Sequence, residues 1–416
     1  MKKDDRDAIL ARGGLSIPWP GEPLLGGWYE AEEIQAAVES MGRSLNPVHG
    51  FGFICDEIEE FERAFAEYCG VDHAVSITSA GAGLDLAMLA LDLQPGDEVI
   101  APALNFKAGH YSILGMGGRL VLCESEERTL NADPADVERL MSPRTRAILV
   151  THMNGLSAPM DDYLEIADRH PHPKHGPPKV IGDAARAPGA GYKGTKIGKK
   201  GWMTVFSLHT MKLLTTLGEG GMITSDDAAL ARRLRAFRQW GSGMAEAVQA
   251  ATPEYLDSHP RYGWGGNYKM TKVQAAVGLV QLRRLDEMIA RRVQVARKRT
   301  TMLQDIPQLT LPYEPPGYDH TYYLYTILLP DNWAGEKRDA LMQMLKTDYG
   351  VDTVVANPPT YLHEPYIRHH IGSQRCPKAE QIGARLFCPP IHPQMPDADN
   401  EYICAALSAA VERLSA

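Results

Sequence analysis

From about residue 73 to residue 225, short apolar runs alternate regularly with segments of helical length, and this pattern restricts the possible folds. The apolar runs are HAVSI, DEVIAPA, RLVLCE, RAILVTHM, KVIGDA and WMTVFSL. Strands that alternate with helices form parallel βα units, whose helices cover both faces of the sheet. The sequence therefore predicts an α/β fold with a mostly parallel sheet sandwiched by helices. Side chains that follow the carboxyl ends of such strands meet at one edge.

The rest of the chain predicts further elements around this sheet. Helices are expected over residues 29–43 and 56–69, and a long amphipathic helix over about 272–298. After it, the runs TYYLYTILL and VDTVVA read as strands, and EKRDALMQMLKTD, KAEQIGARL and NEYICAALSAAVERL read as helices. We expect an amino-terminal arm (1–23), a large domain (24–290) and a smaller carboxyl-terminal α/β domain (291–416). The charged first dozen residues are expected to be disordered or to lie on a partner subunit.

Composition excludes several classes of function. The net charge of -9 and the pI near 5.9 offer no basic stripe for nucleic acid. No apolar run is long enough to cross a bilayer and the amino terminus does not resemble a signal peptide, so a cytoplasmic protein without membrane contact is expected. The six cysteines are scattered without a CxxC pair, which predicts reduced packing residues and no metal site. The histidine-rich loop 170–179 is read as a solvated loop, because no carboxylate or thiol lies at ligand spacing.

The side chains with catalytic potential lie where two predicted strands end. Asp183 closes the run KVIGD, while Ser207 and Lys212 follow the run WMTVFS and precede a Gly-rich turn. An acid at one strand end and a lysine at another, in such an α/β fold, are the minimum that a pyridoxal enzyme needs, because lysine supplies an amine for the cofactor aldehyde and the acid keeps the ring nitrogen protonated. Spacing alone leaves open that the lysine is an ordinary surface residue.

The surrounding residues favour the enzyme. The stretch VIGDAARAPGAGYKGTKIGKKGWMTVFSLHTMKLLTTLGEGGMITSDD resembles the DegT/DnrJ/EryC1/StrS aminotransferases, and the resemblance runs from about Leu24 to the carboxyl terminus. It implies the pyridoxal-phosphate-dependent transferase fold type I of the aspartate aminotransferase superfamily, and a homodimer. It also implies transfer of an amino group from glutamate or glutamine to a nucleotide-linked keto-sugar or a keto-cyclitol, in antibiotic or cell-surface sugar biosynthesis. Pyridoxamine phosphate is then the intermediate form of the cofactor.

The resemblance also implies roles for individual residues. Lys212 corresponds to the lysine that holds pyridoxal 5'-phosphate as a Schiff base, and Asp183 to the partner of its pyridine nitrogen. Ser207 corresponds to a hydroxyl that binds the cofactor phosphate. In TSAGAGL, the backbone amides of Ala80 and Gly81 are expected to bind the same phosphate, although Gly81 replaces the usual threonine or serine.

Four further residues are expected at the site, and two of them, Phe106 and Arg186, have open alternatives. Phe106 corresponds to an aromatic residue that stacks on the cofactor ring, the alternative being a core phenylalanine. His209 is expected near the cofactor, and Asn267 is expected to reach the phosphate of the partner subunit. Arg186 stands where glutamine or histidine is usual, so it is expected to bind an acidic substrate group, to alter the electronics of the cofactor, or simply to bond nearby backbone.

The sequence is also compatible with two other functions. One is a pyridoxal enzyme of the same fold with a different reaction, such as elimination, dehydration or a carbon-carbon bond step. The other is a non-catalytic partner protein that binds the cofactor. Retention of Asp183, Ser207, Lys212 and Asn267 argues against the latter, and the presence of lysine at 212 argues against the family's dehydratases, which carry histidine there. His320 and His363 are expected either near the substrate or in surface or packing roles.

Overall fold

A computed structural model describes residues 1, 3–13, 15–23, 25–46, 55–241 and 263–415 of the chain. Leu24 and Ala416, at which two of the domain limits are expected, lie outside these ranges.

The amino-terminal segment of the chain is helical. Helix α1 (Lys3–Leu10) packs on the last helix of the same chain, with Arg6 paired to Glu412. The expectation that this segment is disordered is therefore wrong for α1, because a tertiary contact orders it; a contact with a partner subunit stays a prediction.

The central sheet is built as the alternation predicted. After α2 (Ala31–Arg43) and α3 (Asp56–Cys69), its elements are β1 (His73–Ile77), α4 (Ala80–Leu91), β2 (Glu98–Pro102), α5 (Ala108–Gly115), β3 (Arg119–Cys123), α6 (Pro134–Leu140), β4 (Thr145–Thr151), α7 (Met160–Arg169), β5 (Lys179–Asp183), β6 (Gly191–Tyr192), β7 (Thr195–Lys196), β8 (Met203–Ser207), β9 (Gly221–Ser225) and α8 (Ala228–Phe237). Seven strands form one sheet in the order β1-β9-β8-β5-β4-β2-β3, and β9 runs antiparallel to both of its neighbours. The predicted mostly parallel α/β architecture is confirmed.

Both faces of this sheet are buried. Along β4, Ile148 and Val150 belong to one apolar cluster, and Leu149, between them, belongs to another on the opposite face. The first cluster includes Phe65 of α3, and the second includes Leu84 of α4. Because successive side chains of a strand point to opposite faces, a strand buried on both sides reads as an unbroken apolar run.

The last third of the chain begins with one long helix. Helix α9 (Lys272–Leu303) starts at a capping box formed by Thr271 and Gln274. The elements that follow are β10 (Tyr318–Asp319), β11 (Ile327–Leu328), α10 (Glu336–Tyr349), α11 (Thr360–His363), α12 (Pro365–Ile371), α13 (Pro377–Arg385), β12 (Leu386–Phe387) and α14 (Asp397–Ser415). Among the described residues, no helix has the length and apolar character that a membrane span needs.

The strands expected in this last third are mostly absent as regular elements. In TYYLYTILL only β11 is a strand, because Tyr322 has a φ of 50° and the backbone amides of Thr321 and Leu324 bond instead to Gly155 and Asn154 of the sheet domain. The run VDTVVA forms only isolated bridges. The first run contacts the sheet domain and the second contacts Ile17 and Cys388, and these tertiary contacts outweigh the strand propensity of both runs.

Candidate active site

The strand register brings the candidate residues to one edge of the sheet. Ile77 at the end of β1 and Ser207 at the end of β8 both pair with Gly221, the first residue of β9. Asp183 at the end of β5 pairs with Val205 of β8. The loop after β1, the carboxylate, the hydroxyl and the Gly-rich turn therefore share one edge, as the parallel topology requires.

Asp183 is a buried carboxylate with unused acceptor capacity. Its side chain accepts one hydrogen bond, from the backbone N–H of Ala185 at 3.0 Å, and no other donor bonds it within the described ranges. Burial raises the pKa of Asp183, and the charges of Arg186 and Lys212 oppose that rise. A buried carboxylate in this state fits a cationic N–H donor such as a protonated pyridine nitrogen.

Lys212 projects from the turn that follows β8. The turn is closed by hydrogen bonds from Lys212 N to His209 O (2.9 Å) and from Thr216 N to Leu208 O (3.0 Å). The Lys212 ammonium donates to the Tyr323 hydroxyl at 3.2 Å and lies 4.7 Å from the centre of that ring. Tyr323, which the sequence did not single out, thus orients the candidate catalytic amine.

The amino end of α4 has the features of a phosphate site. Ser79 caps the helix by accepting the N–H of Ala82 at 3.1 Å. The amides of Ala80 and Gly81 bond to no acceptor in the described part of the chain. A Cβ on Gly221 would lie 2.8 Å from the Ser79 carbonyl carbon, so only glycine lets β9 approach this loop so closely. Free helix amides attract an anion, and these residues fit a phosphate.

The side chain of Phe106 is exposed, whereas that of His209 bonds within the turn that carries Lys212. Phe106 is 57% exposed, which excludes the alternative that it is a core residue. His209 accepts the backbone N–H of Met211 through Nδ1 at 3.3 Å, so it supports the turn that carries Lys212. Its Nε2 lies 3.8 Å from Glu219.

Asn267 and His363 lie at the surface of the single chain, and His320 lies in its interior. Asn267 is exposed and its side-chain oxygen accepts a hydrogen bond from Lys269. His320 is buried, stacked at 4.1 Å on Tyr322, which fits the packing role. His363 is exposed at the end of α11.

Arg186 connects the edge of the sheet to the segment before α11. Its side chain is buried and donates to Asn357 Oδ1 at 2.6 Å and to Met153 Sδ at 3.5 Å. Asn357 in turn contacts Asn154 Oδ1 at 3.4 Å. These hydrogen bonds join side chains, so the expected alternative of bonding nearby backbone does not describe Arg186.

Glu22 is a site residue that the sequence did not reveal. Its carboxylate lies 3.1 Å from Arg292, and the two side chains are 5% and 3% exposed. Arg292 also donates to the backbone carbonyls of Tyr323 (3.3 Å) and Ile391 (2.9 Å). Burial raises the pKa of Glu22 to about 7, against the opposing charges of Arg292 and Lys212. In the sequence, Glu22 is a single acid in a Pro- and Gly-rich arm, and no pattern there predicts its contact with Arg292.

The raised pKa of Glu22 predicts a specific pH dependence of stability. A carboxyl group whose pKa is about 7 when folded and 4.5 when unfolded binds its proton more tightly in the folded state. Its contribution is therefore complete below pH 4.5 and is lost as the pH rises to about 7. The variant Glu22→Gln stays neutral, so its thermal midpoint should fall less between pH 5 and pH 8 than that of the wild type. Exposed Glu32→Gln is the control, and equal falls in all three proteins would contradict the assignment.

Comparison with known proteins identifies the family. The DegT/DnrJ/EryC1/StrS aminotransferase family matches residues 29–408. GDP-perosamine synthase of Caulobacter vibrioides is 37% identical over 354 residues, covering 84% of this chain and 89% of the relative. A dTDP-3-amino-3,4,6-trideoxy-alpha-D-glucose transaminase of Streptomyces venezuelae is 32% identical and covers 88% of this chain and 89% of its own.

Solved structures agree with this result. DesV of S. venezuelae, solved with a ketimine intermediate, superimposes with a TM-score of 0.80 at 32% identity, covering 92% of this chain and 96% of DesV. The sugar aminotransferase CalS13 of Micromonospora echinospora has a TM-score of 0.81 at 25% identity, over 93% of this chain and 99% of its own. The chain therefore belongs to the DegT/DnrJ/EryC1/StrS family of pyridoxal-phosphate-dependent aminotransferases, as its sequence motifs indicated.

Proposed function

We propose that this aminotransferase moves an amino group from glutamate or glutamine to the ketone of a nucleotide-linked sugar or a cyclitol, in antibiotic or cell-surface sugar biosynthesis. The names of two relatives, GDP-perosamine synthase and a dTDP-amino-sugar transaminase, support the substrate class. The observation that carries the proposal is the meeting of Asp183, Ser207, Lys212 and the amino end of α4 at one edge of the sheet.

Each of these groups has a distinct task in the proposed reaction. When bound, pyridoxal phosphate supplies a ring that accepts the electrons released from the substrate carbon. The Ala80 and Gly81 amides and the Ser207 hydroxyl would hold the phosphate, and Asp183 would hold the proton on the ring nitrogen. Lys212 would hold the cofactor through Nζ, and its free amine would take a proton from the α-carbon of the amino donor. The Tyr323 hydroxyl orients Nζ for that transfer.

The remaining site residues complete the proposed pocket. Phe106 is exposed near the end of the loop between β2 and α5 and is proposed to stack on the cofactor ring. Arg186, next to Asp183, is proposed to lie near the ring, where its fixed charge modifies the electronics of the cofactor. His209 is proposed to act through the turn that carries Lys212, whose backbone its ring already bonds.

The reaction is tested by following nitrogen from donor to product. Adding glutamine or glutamate to the holoenzyme should bleach its visible absorption band, and ¹⁵N-glutamine with a nucleotide-linked keto-sugar should give a ¹⁵N-labelled amino sugar by mass spectrometry. A band that is indifferent to every amine donor would favour the non-catalytic alternative. A product that is dehydrated and carries no new nitrogen would favour a different pyridoxal reaction.

We also propose that two copies of the chain form a homodimer. Helix α2 exposes an apolar stripe of Ile34 (65%), Val38 (62%) and Met41 (60%), spaced so that they share one helical face. Two exposed aromatic residues lie beside Asn267: Trp264 precedes it closely in the chain, and the Trp240 backbone bonds to Gly266. Asn267 itself is proposed to reach the phosphate of the partner subunit. A second copy of the chain is the occupant that would cover these surfaces and complete both sites.

The stripe gives a direct test of the dimer. A charge in the middle of a buried apolar interface is costly, so Val38→Asp should shift the protein from dimer to monomer in size-exclusion chromatography with light scattering. The matched control is Gln35→Asp, which adds the same charge to the exposed polar face of α2. Dimers of unchanged stability in Val38→Asp would contradict the proposal for this face.

The domain limits and the compartment are likewise proposals. A separate apolar cluster draws on residues 293–414 and on Ile17 of the arm, with Ile9, Leu10 and Leu15 packed against it. This supports an arm (1–23), a large domain (24–290) and a small domain (291–416). All six cysteines are free and buried, in keeping with a cytoplasmic protein.

A further inference from the structure

The histidine-rich loop 170–179, which the proposed reaction does not use, forms an ordered hairpin. The backbones of His172 and Gly176 exchange hydrogen bonds (2.8 and 3.2 Å), and Gly176 adopts a φ of 70° that suits glycine. The rings of His172 and His175 lie 4.7 Å apart. Among the described residues, no cluster of three or more metal-ligating side chains occurs.

The hairpin borders a cavity of about 330 Å³ at the amino ends of β4 and β5. This is the edge of the sheet opposite to Asp183, since β5 begins at Lys179 and ends at Asp183. The side chains that line the cavity include His172, His175, Arg146, Lys179, Trp202 and Arg233. Its volume lies within the range of small-molecule sites, which is about 300–1,000 Å³.

The lining is strongly cationic in a chain whose net charge is -9. Arg146 is buried and already satisfied by Asp97 and by the carbonyl of Leu91. Lys179 and Arg233 make no ion pair with a carboxylate in the described ranges; Lys179 lies 5.7 Å from the Trp202 ring and Arg233 lies 5.3 Å from the Phe237 ring.

Two further observations indicate a positive potential in the cavity. Asp92 is the one acidic residue among its described lining, and it is exposed on the rim. Burial lowers the pKa of His172, and so do the charges of His175, Arg146 and Lys174, against the opposing charge of Asp97. The loop and the two strand ends thus hold several donors around an open space, and of its charged lining Arg146 is paired with Asp97 while Lys179 and Arg233 have no carboxylate partner in the described ranges.

We propose that this cavity is a second binding site, separate from the catalytic edge, for a small anion that carries phosphoryl groups. The Lys179 ammonium and the Arg233 guanidinium supply the donors, because arginine matches phosphate oxygens with paired N–H groups and lysine adds a point charge. His172 and His175 close one side. This inference stands apart from the proposed amino transfer, since it uses none of the residues at the carboxyl edge.

The site is tested by calorimetric titration of pyrophosphate into the holoenzyme at low salt, where bound cofactor already occupies the amino end of α4. We expect saturable binding, one pyrophosphate per chain, that weakens about fivefold in Lys179→Gln and in Arg233→Gln and at least about twentyfold in the double variant. Added salt should weaken it further. Lys337→Gln is the matched control, because Lys337 is also a lysine near a tryptophan ring, 4.2 Å from that of Trp333, and does not line the cavity. Its affinity should equal that of the wild type.

The variants must also keep their fold, which unchanged circular dichroism and unchanged amino transfer would demonstrate. Thymidine diphosphate and inorganic phosphate, titrated in parallel, separate a nucleotide site from a site for the bare phosphoryl anion. Absence of saturable pyrophosphate binding would overturn the proposal. So would binding that the double variant retains, since that pyrophosphate would then sit elsewhere, or an equal loss in Lys337→Gln.

Discussion

Replacing Lys212 by alanine is expected to abolish multiple turnovers of amino transfer while the protein stays folded. The side chain is partly buried, and its hydrogen bond at 3.2 Å goes to the Tyr323 hydroxyl, so its loss should cost only about 1 kcal/mol of stability. Catalysis should lose much more, because the same amine is proposed both to bind the cofactor and to move the proton. Loss of proton transfer alone is worth about 10²–10⁴-fold in rate.

Two measurements separate this role from a structural one. Borohydride reduction of the wild-type holoenzyme followed by peptide mapping should find the pyridoxyl label on Lys212, and the alanine variant should carry none at that peptide. Lys199→Ala is the control: this exposed lysine pairs with Asp226 at 2.8 Å, away from the catalytic edge, and its removal should leave turnover and labelling intact. Continued turnover in Lys212→Ala, or a label on another lysine of the wild type, would refute the assignment.

The parts of the fold that the sequence predicted are those whose cause is local or periodic. Strands β1 to β5 appear as apolar runs because both faces of the sheet are buried. Asp183 and Ser207 could be located because each closes such a run, and parallel strands end at one edge. Family resemblance then gave Lys212 its expected role.

The parts that the sequence did not predict depend on contacts between distant segments. Glu22 meets Arg292, and Arg186 meets Asn357, across sequence separations of 270 and 171 residues. Tyr323 lies in a run that reads as a strand, yet its neighbour Tyr322 has a positive φ and the segment docks on the loop after β4. Helix α1 is ordered by the pairing of Arg6 with Glu412. Single-sequence patterns carry no information on such pairings.

Asp183→Asn should lower the rate of amino transfer by about 10²–10³-fold without unfolding the protein, which is the usual effect of removing one preorganised electrostatic partner. Asparagine has the shape of aspartate, and its side-chain oxygen can still accept the Ala185 N–H that Asp183 accepts at 3.0 Å. It lacks the negative charge, however, so it cannot hold a proton on the ring nitrogen, and the electron-accepting capacity of the cofactor falls.

The visible spectrum distinguishes this cause from a loss of cofactor. The variant should still bind pyridoxal phosphate, because the amides at the start of α4, Ser207 and Lys212 remain, but the absorption band and its bleaching by glutamate should change. Asp85→Asn is the matched control, since Asp85 is also a shielded carboxylate whose pKa burial raises, and it bonds Ser112 instead of facing the site. Because the two substitutions remove the same charge, a wild-type rate in Asp183→Asn, or an equal loss in both variants, would show that the carboxylate at the end of β5 does not act on the cofactor ring.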